Sequence, residues 1–263
     1  MTSQLATKVT AIIKTFERPH CLNRLVDSIK KYYPDLPIIV ADDSLKPVPR
    51  SDVEYHILPF DSGLPKGRNF LIQQVKTPYV LVLDDDYCFI EETKIEKLLD
   101  VLENSDIDIV GGRLLEKNHV RSFHGKLIRR GTKLRKVRKS NGKQYGCRLY
   151  DYINNFFLAR TETLRKYKWD EQFKTGGQHI DFFLSYKGKI KVALHPEVFI
   201  YHFRDRTDDR YKKYRKRAKE IYKPLFLKKH GLSEYKTARG LLPLKTVQKH
   251  LSSETIERFS LKL

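Results

Sequence analysis

The first 110 residues alternate continuous apolar runs with segments whose apolar positions have helical spacing. The apolar runs are typical of strands buried on both faces and cover residues 8–13, 37–44 and 79–83. Residues 20–33 carry apolar side chains at helical spacing, and residues 64–75 follow a glycine and predict a second helix. This order predicts an α/β fold with a mostly parallel central sheet, right-handed crossovers and flanking helices.

Polar side chains follow each predicted strand, at the edge of a parallel sheet where ligands bind. They are Thr15 and Arg18 after the first strand, Asp42 and Asp43 after the second, and Asp84, Asp85 and Asp86 after the third. The three adjacent carboxylates, in the segment YVLVLDDDY, repel one another unless a cation or several donors lie among them. Mg²⁺ or Mn²⁺ fits best, because it prefers oxygen ligands and is often held by one or two carboxylates plus substrate phosphates. The sequence therefore predicts a divalent metal site.

A structural alternative is that these aspartates cap the helix predicted over residues 91–105, since aspartate favours such positions. A cap needs only one aspartate, and the predicted helix begins several residues later. The metal site is therefore the favoured interpretation.

The net charge of +20 is unevenly distributed along the chain. Residues 1–110 contain 13 Lys and Arg against 18 Asp and Glu, a net charge of −5, whereas residues 111–263 contain 39 against 14, a net charge of +25. The acidic first part is compatible with a metal site. The basic second part indicates an anionic partner, and charge alone does not choose between an anionic acceptor, nucleic acid and an anionic lipid surface.

The composition is that of a folded protein, because 40% of the 263 residues are apolar and can offset the entropy of ordering the chain. No apolar run reaches the 18 residues of a membrane span, and the N-terminal segment lacks the long apolar stretch of a secretory signal. The three widely spaced cysteines match no zinc pattern and fit a reducing compartment. We therefore expect a cytoplasmic location, with peripheral attachment to the cytoplasmic membrane face as an option.

Four ordered segments resemble the nucleotide-sugar-binding half of a GT-A glycosyltransferase of the inverting family 2 type. They read VTAIIKTFERP, IIVADDS, GLPKGRN and VLVLDDDY. Residues 154–206 extend the resemblance, and their sequence is most similar to that of the ganglioside-type β-1,4-N-acetylgalactosaminyltransferases. The resemblance covers residues 8–206 and implies a Rossmann-like GT-A fold, a UDP-sugar donor and Mn²⁺ or Mg²⁺ as cofactor.

The resemblance also implies roles for individual residues. It implies that Asp86 and His202 hold the metal, with Asp84 reaching the ribose or a metal-bound water. It places Lys66, Arg68 and Asn69 at a helix N-terminus, where donors and the helix dipole favour a diphosphate. The complete set of implied donor-binding residues is Thr15, Arg18, Asp42, Asp43, Lys66, Arg68, Asn69, Asp84 and Asp85. For His202 the alternative is a packed histidine at a strand end.

The implied catalytic base is Asp181, in the segment GGQHIDFF, which would take the proton of the acceptor hydroxyl. The alternative is that Asp181 caps a helix. The family often has an acid where this chain has His179, so the role of His179 is open, with acceptor or phosphate contact as our expectation. The resemblance places acceptor contacts at Trp169, Asp170 and Glu171, although Trp169 is equally well explained as a core residue.

Two basic segments lie in the second part of the chain. Residues 117–150 contain no Asp or Glu, and residues 126–148 predict a β-hairpin with a turn near residues 140–142. Residues 208–231 predict a basic amphipathic helix with its apolar positions at Tyr211, Tyr214, Ala218, Ile221 and Leu225. This helix either packs on the rest of the protein or docks on anionic lipid.

These observations predict a catalytic domain over residues 1–206 and a basic helical extension over residues 207–263. Within the domain, residues 1–110 form the nucleotide-sugar-binding half and residues 111–206 the acceptor-binding half. The expected activity is metal-dependent, inverting transfer of a hexose or N-acetylhexosamine from a UDP-sugar to a glycan, glycolipid or anionic polymer. Two alternatives are a transferase that acts on modified DNA bases and a nucleic-acid-binding protein with a degenerate transferase fold.

Overall fold

The computed structural model describes residues 2–203, 209–237 and 240–259. The helices are α1 (Thr2–Lys8), α2 (Pro19–Tyr32), α3 (Leu64–Gln74), α4 (Ile95–Glu103), α5 (Thr161–Lys166), α6 (Gln178–Ser185), α7 (Asp209–Arg217), α8 (Lys223–Lys229) and α9 (Ser253–Arg258). The strands are β1 (Val9–Thr15), β2 (Ile38–Asp42), β3 (Glu54–Ile57), β4 (Tyr79–Asp84), β5 (Tyr87–Cys88), β6 (Ile109–Glu116), β7 (His119–Ser122), β8 (Lys126–Arg130), β9 (Lys133–Val137), β10 (Gly142–Gln144), β11 (Cys147–Tyr150), β12 (Phe157–Arg160), β13 (Val192–His202), β14 (Glu234–Lys236) and β15 (Gly240–Pro243).

Most of these strands form one central sheet with the order β10-β11-β13-β6-β12-β4-β1-β2-β3. Strands β3, β2, β1 and β4 are parallel, β12 is antiparallel to both β4 and β6, and β13 is parallel to β6. The predicted α/β fold with a mostly parallel sheet is therefore confirmed. The three predicted strands and the three predicted helices of the first 110 residues are also present, with ends displaced by a few residues.

Helices cover both faces of the sheet, which explains the continuous apolar runs. All seven residues of β1 and all five of β2 are buried. On one face α2 and α4 pack their apolar stripes, which include Leu22 and Leu98, against the sheet. On the other face α3, α6 and α8 contribute residues such as Leu71, Phe182 and Phe226. A strand between two helical layers has no solvent-facing side and can be apolar throughout.

The parallel arrangement brings the polar strand ends to one edge of the sheet. Thr15 of β1 pairs with Asp42 of β2, and Lys14 of β1 pairs with Asp84 of β4. Strands β6 and β13 run in the same direction and end at Glu116 and His202. Helix α4 begins at Ile95, well after the three aspartates, so the alternative that they cap this helix is wrong.

The basic segment of residues 126–148 was predicted to form one hairpin but contributes to two short ones. The predicted turn near residues 140–142 is therefore wrong. Strands β8 and β9 turn at Gly131, and β10 and β11 turn at Tyr145 and Gly146. Gly131 and Gly146 have φ of 56° and 71°, which two-residue hairpin turns favour and glycine adopts without strain. Strands β8 and β9 belong to a separate three-stranded sheet completed by β14.

The described C-terminal residues pack on the rest of the protein. Strand β15 extends the central sheet through β7, and β14 pairs with β9. A π-helical turn over Ala218–Tyr222 joins α7 to α8, so Tyr222 and Phe226 are buried while Ile221 is 51% exposed. The extra residue of the π-turn explains why the predicted apolar positions Ile221 and Leu225 are displaced by one. The predicted boundary between residues 206 and 207 lies outside the described residues, and none of the described helices is long and apolar enough to span a bilayer.

Candidate functional site

A cavity of about 1450 Å³ opens at the polar edge of the sheet. One side, which we call the sheet-edge wall, consists of Asp84, Asp85, Asp86, Arg18 and His202. A second group of lining residues, which we call the basic wall, consists of Lys136, Lys216, Lys219 and Lys223. A cavity with walls of different charge can hold a ligand that carries both a metal-binding anionic part and a further anionic group.

Each of the three adjacent aspartates has an arginine partner, which explains how three negative charges can lie close together. Asp84 accepts a 2.6 Å hydrogen bond from Nη2 of Arg68, which is itself fully buried. Asp85 is paired with Nη2 of Arg18. Asp86 lies 3.1 Å from Nη1 of the same guanidinium. The like charges are therefore offset by arginines of the chain, whether or not a metal binds.

Asp85 serves to hold Arg18 and the end of β1 in place. Its Oδ2 accepts a 2.8 Å hydrogen bond from Thr15 Oγ1, and Thr15 does not line the cavity. Burial raises the pKa of Asp85 to about 6, although the charge of Arg18 opposes the shift. On its other side, the Arg18 guanidinium stacks over the Tyr211 ring of α7 at 4.2 Å.

Asp86 and His202 meet at the cavity, with 3.6 Å between Oδ2 and Nε2. The other nitrogen of His202, Nδ1, lies 2.7 Å from Oε1 of Glu116. Burial alone would raise the pKa of Asp86, but His202 and Arg18 lower it to about 2. Burial alone would lower the pKa of His202, but Asp86 and Glu116 raise it to about 9.

Glu116 orients His202 and is a site residue that sequence reasoning missed. Nε of Arg121 donates to its Oε1 at 2.6 Å, and Nε2 of His119 lies 2.7 Å from its Oε2. Burial alone would raise its pKa, but His202 and Arg121 lower it to about 2. The sequence signal that could have identified Glu116 is its position at the end of the apolar run IVGGRLLE. The aspartates at the end of β4 were identified by the same signal.

The described residues contain no cluster of three or more His, Cys, Asp or Glu that could hold a metal. Asp84 is engaged by Arg68 and by Nδ2 of Asn155 at 2.9 Å, so it does not join Asp86 and His202. A divalent ion often takes only one or two protein ligands and completes its shell with water and substrate phosphates. Asp86 and His202 fit such a two-ligand site, in which His202 would have to lose its proton.

Of the two aspartates after β2, only Asp43 faces the cavity. Its Oδ1 pairs with Lys14 and its Oδ2 accepts a 2.8 Å hydrogen bond from the Gly63 N–H. Asp42 points away, where it accepts hydrogen bonds from the Ser44 N–H at 2.8 Å and from Tyr55 Oη at 2.6 Å. Successive side chains of a strand alternate between its faces, so adjacent aspartates separate.

The three residues predicted to bind a diphosphate from α3 lie outside the cavity lining. Lys66 is exposed. Arg68 lies on the face of α3 that packs on the sheet, where it binds Asp84. Nδ2 of Asn69 donates to the Trp169 carbonyl and to Oε1 of Glu171, both at 2.9 Å.

Only one of the four predicted acceptor-binding residues lines the cavity. His179 lines the cavity, whereas Trp169, Asp170 and Glu171 do not. The Trp169 ring is 3% exposed and stacks on Phe182 at 4.7 Å, so the core interpretation of this residue is correct.

The predicted base, Asp181, is also absent from the cavity lining. Its carboxylate is buried and lies 2.7 Å from Nε2 of His230 and 2.8 Å from Nζ of Lys229. Asp181 is in the first turn of α6, but Gly177 occupies the N-cap position. The Asp181 side chain faces α8, whereas His179 lines the cavity, because residues two positions apart on a helix point to different sides.

The basic helix that sequence reasoning assigned to packing or to lipid lines the cavity. Its apolar side chains are used inside the protein: Tyr214 packs edge-on against Phe16 at 4.9 Å, and Phe226 is buried. Arg217 makes two hydrogen bonds to Asp61, of 2.6 and 2.8 Å. This arrangement favours the packed alternative over lipid docking, which needs an exposed apolar face.

Lys136 of β9 is the one residue of the basic wall that does not come from the C-terminal helical segment. It is 7% exposed, and its Nζ lies 4.4 Å from the ring centroid of Phe123 and 4.8 Å from that of Tyr152. Among the described residues no carboxylate lies within ion-pair distance of it. Burial lowers the pKa of Lys136 to about 7.

The fold is that of GT-A glycosyltransferases. The crystal structure of S. aureus TarS residues 1–349 in complex with UDP-GlcNAc superposes with a TM-score of 0.55 at 15% sequence identity, covering 76% of this chain and 60% of that one. A second crystal structure of S. aureus TarS residues 1–349 gives a TM-score of 0.53 at 16% identity, covering 74% of this chain and 60% of that one. At this identity the likeness concerns the fold alone.

The sequence model of the family described as "Glycosyl transferase family 2" matches residues 10–173. The chain belongs to glycosyltransferase family 2. It is 41% identical to mouse (Mus musculus) beta-1,4 N-acetylgalactosaminyltransferase 2 over 203 residues, which are 74% of this chain and 39% of that protein. It is 35% identical to human (Homo sapiens) beta-1,4 N-acetylgalactosaminyltransferase 1 over 210 residues, 75% of this chain and 39% of that protein. The chain thus spans about two fifths of the length of these relatives.

Proposed function

We propose that the chain is a metal-dependent, inverting glycosyltransferase that transfers an N-acetylhexosamine from a UDP-sugar to an anionic glycan. The observation that carries this proposal is the Asp86–His202 pair, which lines the same cavity as a basic helix. Membership of the family and the names of the relatives support the reaction class and make N-acetylgalactosamine the first sugar to test.

The two walls provide for the parts of a nucleotide sugar. Asp43, which lines the cavity, would accept a hydrogen bond from the uracil imide. Asp86 and His202 would hold the divalent ion, whose charge would offset the negative charge that develops on the departing UDP. Lys216 and Lys219 line the same cavity, and their positive charges would attract the diphosphate.

The proposed acceptor is anionic because Lys136 is a buried cation without an acidic partner among the described residues. Isolated buried charges are costly, and a carboxylate or phosphate on the acceptor would supply the missing counter-charge. Arg121 lines the same cavity and adds to this positive potential. A glycan, glycolipid or polymer with such a group fits this surface.

The donor half of the proposal is tested by calorimetry of UDP binding with MnCl₂ present. We expect Asp86→Asn to weaken UDP binding at least about tenfold, because the amide is a poorer metal ligand than the carboxylate. Asp27→Asn is the matched control, since Asp27 is an exposed residue of α2 outside the cavity lining. Equal UDP affinity for wild type and Asp86→Asn, with and without Mn²⁺, would contradict the metal site.

The activity is tested by UDP release from UDP-N-acetylgalactosamine and UDP-N-acetylglucosamine. The acceptors are a disaccharide that contains glucuronic acid and its methyl ester, which lacks the negative charge and carries one additional methyl group. We expect faster release with the charged acceptor. Equal rates for the two acceptors would remove the anionic requirement, and absence of release with every donor and acceptor would remove the transferase assignment.

A further inference from the structure

A group of cationic side chains gathers on one face of the central sheet, outside the cavity lining. Arg148 of β11 shares its face with Tyr150, and Arg113 of β6 shares its face with Ile109, because alternate residues of a strand point to the same side. Tyr150 and Ile109 both belong to the core beneath α3, α6 and α8, so the two arginines lie on that same face. Only β13 separates β6 from β11 in the sheet, and neither arginine lines the cavity.

His124, which follows β7, connects these two arginines with a third. The His124 ring packs against the Tyr150 ring with 4.6 Å between centroids, and its Nε2 lies 3.4 Å from Oγ of Ser122. Ser122 pairs with Gly240 of β15, where an added Cβ would lie only 2.9 Å from Nε of Arg138. Arg138 therefore lies close to the end of β7, beside His124.

We call Arg113, His124, Arg138 and Arg148 the arginine cluster. Burial, followed by the positive charges of its three arginines, lowers the pKa of His124 to about 4, and no described carboxylate acts on the ring. Arginines that lie close together repel one another unless an anion lies among them. The arginine cluster lacks the carboxylate partners that the arginines of the sheet-edge wall have.

Arg113 is the member of the cluster for which a missing acceptor matters most. Its side chain is half-buried, and its Nε is buried without a hydrogen-bond partner among the described residues. The Phe199 ring centroid lies 6.0 Å from the guanidinium, at the limit of a cation–π contact. Burial and the charge of Arg148 lower the pKa of Arg113, and only Tyr150 opposes this shift. A buried donor without an acceptor, in a cluster that solvent can reach, points to a group that binds there.

We propose that the arginine cluster is a binding site for a phosphate or sulfate group, separate from the catalytic cavity. Each guanidinium offers paired N–H donors that match two oxygens of such a group. A doubly charged anion also offsets more of the three positive charges than a carboxylate does. Arg138 and Arg148 are exposed, so the group can enter from solvent, and Arg113 binds it at the sheet. The group comes either as the free inorganic ion or as an ester on a glycan.

NMR of the histidine side chains tests the site in the full chain, with His124→Gln to assign the His124 signal. We expect ~10 mM sodium sulfate to raise the pKa of His124 by at least about 1, relative to sodium chloride at the same ionic strength. Acetate should act more weakly because it carries one charge. N-acetylglucosamine 6-sulfate distinguishes the sources, since a response to it supports an ester and a response to sulfate alone supports the free ion. No response to either would overturn the proposal.

Substitution of two arginines tests the same site by calorimetry of sulfate binding at constant ionic strength. Arg113→Gln with Arg148→Gln should weaken sulfate binding at least about tenfold and leave UDP affinity unchanged. Arg130→Gln with Arg135→Gln is the matched control, because it removes the same charge from exposed positions of β8 and β9 outside the cavity lining. Equal losses in the two double variants, or no loss in either, would overturn the site. The NMR experiment decides even if a double variant does not fold, and neither measurement depends on transferase activity.

Discussion

The sheet-edge wall and the basic wall line the same cavity, but their charged groups have different partners. On the sheet-edge wall Asp84, Asp85 and Asp86 each have an arginine of the chain within hydrogen-bond distance. On the basic wall no described carboxylate lies within ion-pair distance of Lys136, Lys216, Lys219 or Lys223. The charges of the paired wall are balanced within the protein. On the basic wall, solvent balances the exposed Lys216, Lys219 and Lys223, and only the buried Lys136 lacks both solvent and a described carboxylate.

This difference predicts different consequences of substitution. Removing a charge from the paired wall leaves its partner buried and unpaired, so the loss should appear mainly in the free energy of unfolding. Removing a charge from the basic wall breaks no ion pair among the described residues, so the loss should appear mainly in ligand binding. The following predictions run from the largest expected effect to the smallest.

Arg68→Met should reduce the free energy of unfolding by about 3–5 kcal/mol, measured by urea denaturation. The guanidinium is fully buried, and its loss leaves Asp84 without its cation. The exposed pair of Lys97 and Glu197 provides the control, since Lys97→Met should cost less than about 1 kcal/mol. Equal effects at the two positions would contradict the distinction between paired and exposed charges.

Lys136→Met should stabilise the folded protein at pH 7, by an amount on the order of 2–4 kcal/mol, because a buried unpaired ammonium is removed. The pKa of Lys136 is about 7 in the folded protein and 10.5 ordinarily, so between these values the unfolded chain binds more protons. Wild type therefore gains stability relative to the variant as the pH rises from 7 toward 10.5.

Urea denaturation at pH 7 and pH 10 measures this difference. Lys133→Met, on the exposed side of the same strand, is the control substitution. A stability difference between wild type and Lys136→Met that stays constant over this pH range would show that the charge of Lys136 is already balanced. In that case the argument for an anionic acceptor group loses its main support.

Asp181→Asn should reduce the free energy of unfolding by about 1–3 kcal/mol, and the kcat of the folded variant decides whether this carboxylate is also the predicted base. The carboxylate is buried against Lys229 and His230, so its charge contributes to the packing of α8 on α6. Denaturation and UDP release measure the two quantities on the same preparation. Lost turnover with unchanged stability would place Asp181 in the chemistry and contradict its assignment to the interior.

The double substitution Lys216→Gln with Lys219→Gln should change the free energy of unfolding by less than about 0.5 kcal/mol, because both side chains are exposed. It should weaken UDP binding several-fold at low salt, and added salt should diminish the difference. Lys245→Gln with Lys249→Gln removes the same charge outside the cavity and serves as control. Equal losses in the two double variants would indicate a nonspecific effect of net charge.

Several parts of the site could be predicted because they depend on local sequence. The apolar runs of β1, β2 and β4 identified the strands, and the residues after each run identified which acids reach the edge of the sheet. That Asp43 faces the cavity and Asp42 does not was not predicted, because it depends on which face of β2 lies against the ligand side. The exact end of a strand decides this, and apolar runs define strand ends only approximately.

The motif resemblance identified α6 correctly but could not show what its side chains contact. The sequence motif does not show which way His179 and Asp181 point. Only the packing of α6 against α8 shows that Asp181 contacts Lys229 and His230. The displaced apolar stripe of the C-terminal helix has a similar origin. A π-turn follows from tertiary packing and shifts every later residue by one position, which a regular helical period cannot anticipate.

The sequence by itself determined the order of strands and helices, the parallel sheet and the presence of acids at its edge, because hydrophobic periodicity and strand direction act over short segments. The tertiary structure decided the partners of those acids. Arg68 meets Asp84 from 16 residues away, His202 meets Glu116 from 86 residues away, and Arg217 meets Asp61 from 156 residues away. Such pairs form only when the whole chain is packed, since side-chain charges have no sequence period that would mark their partners.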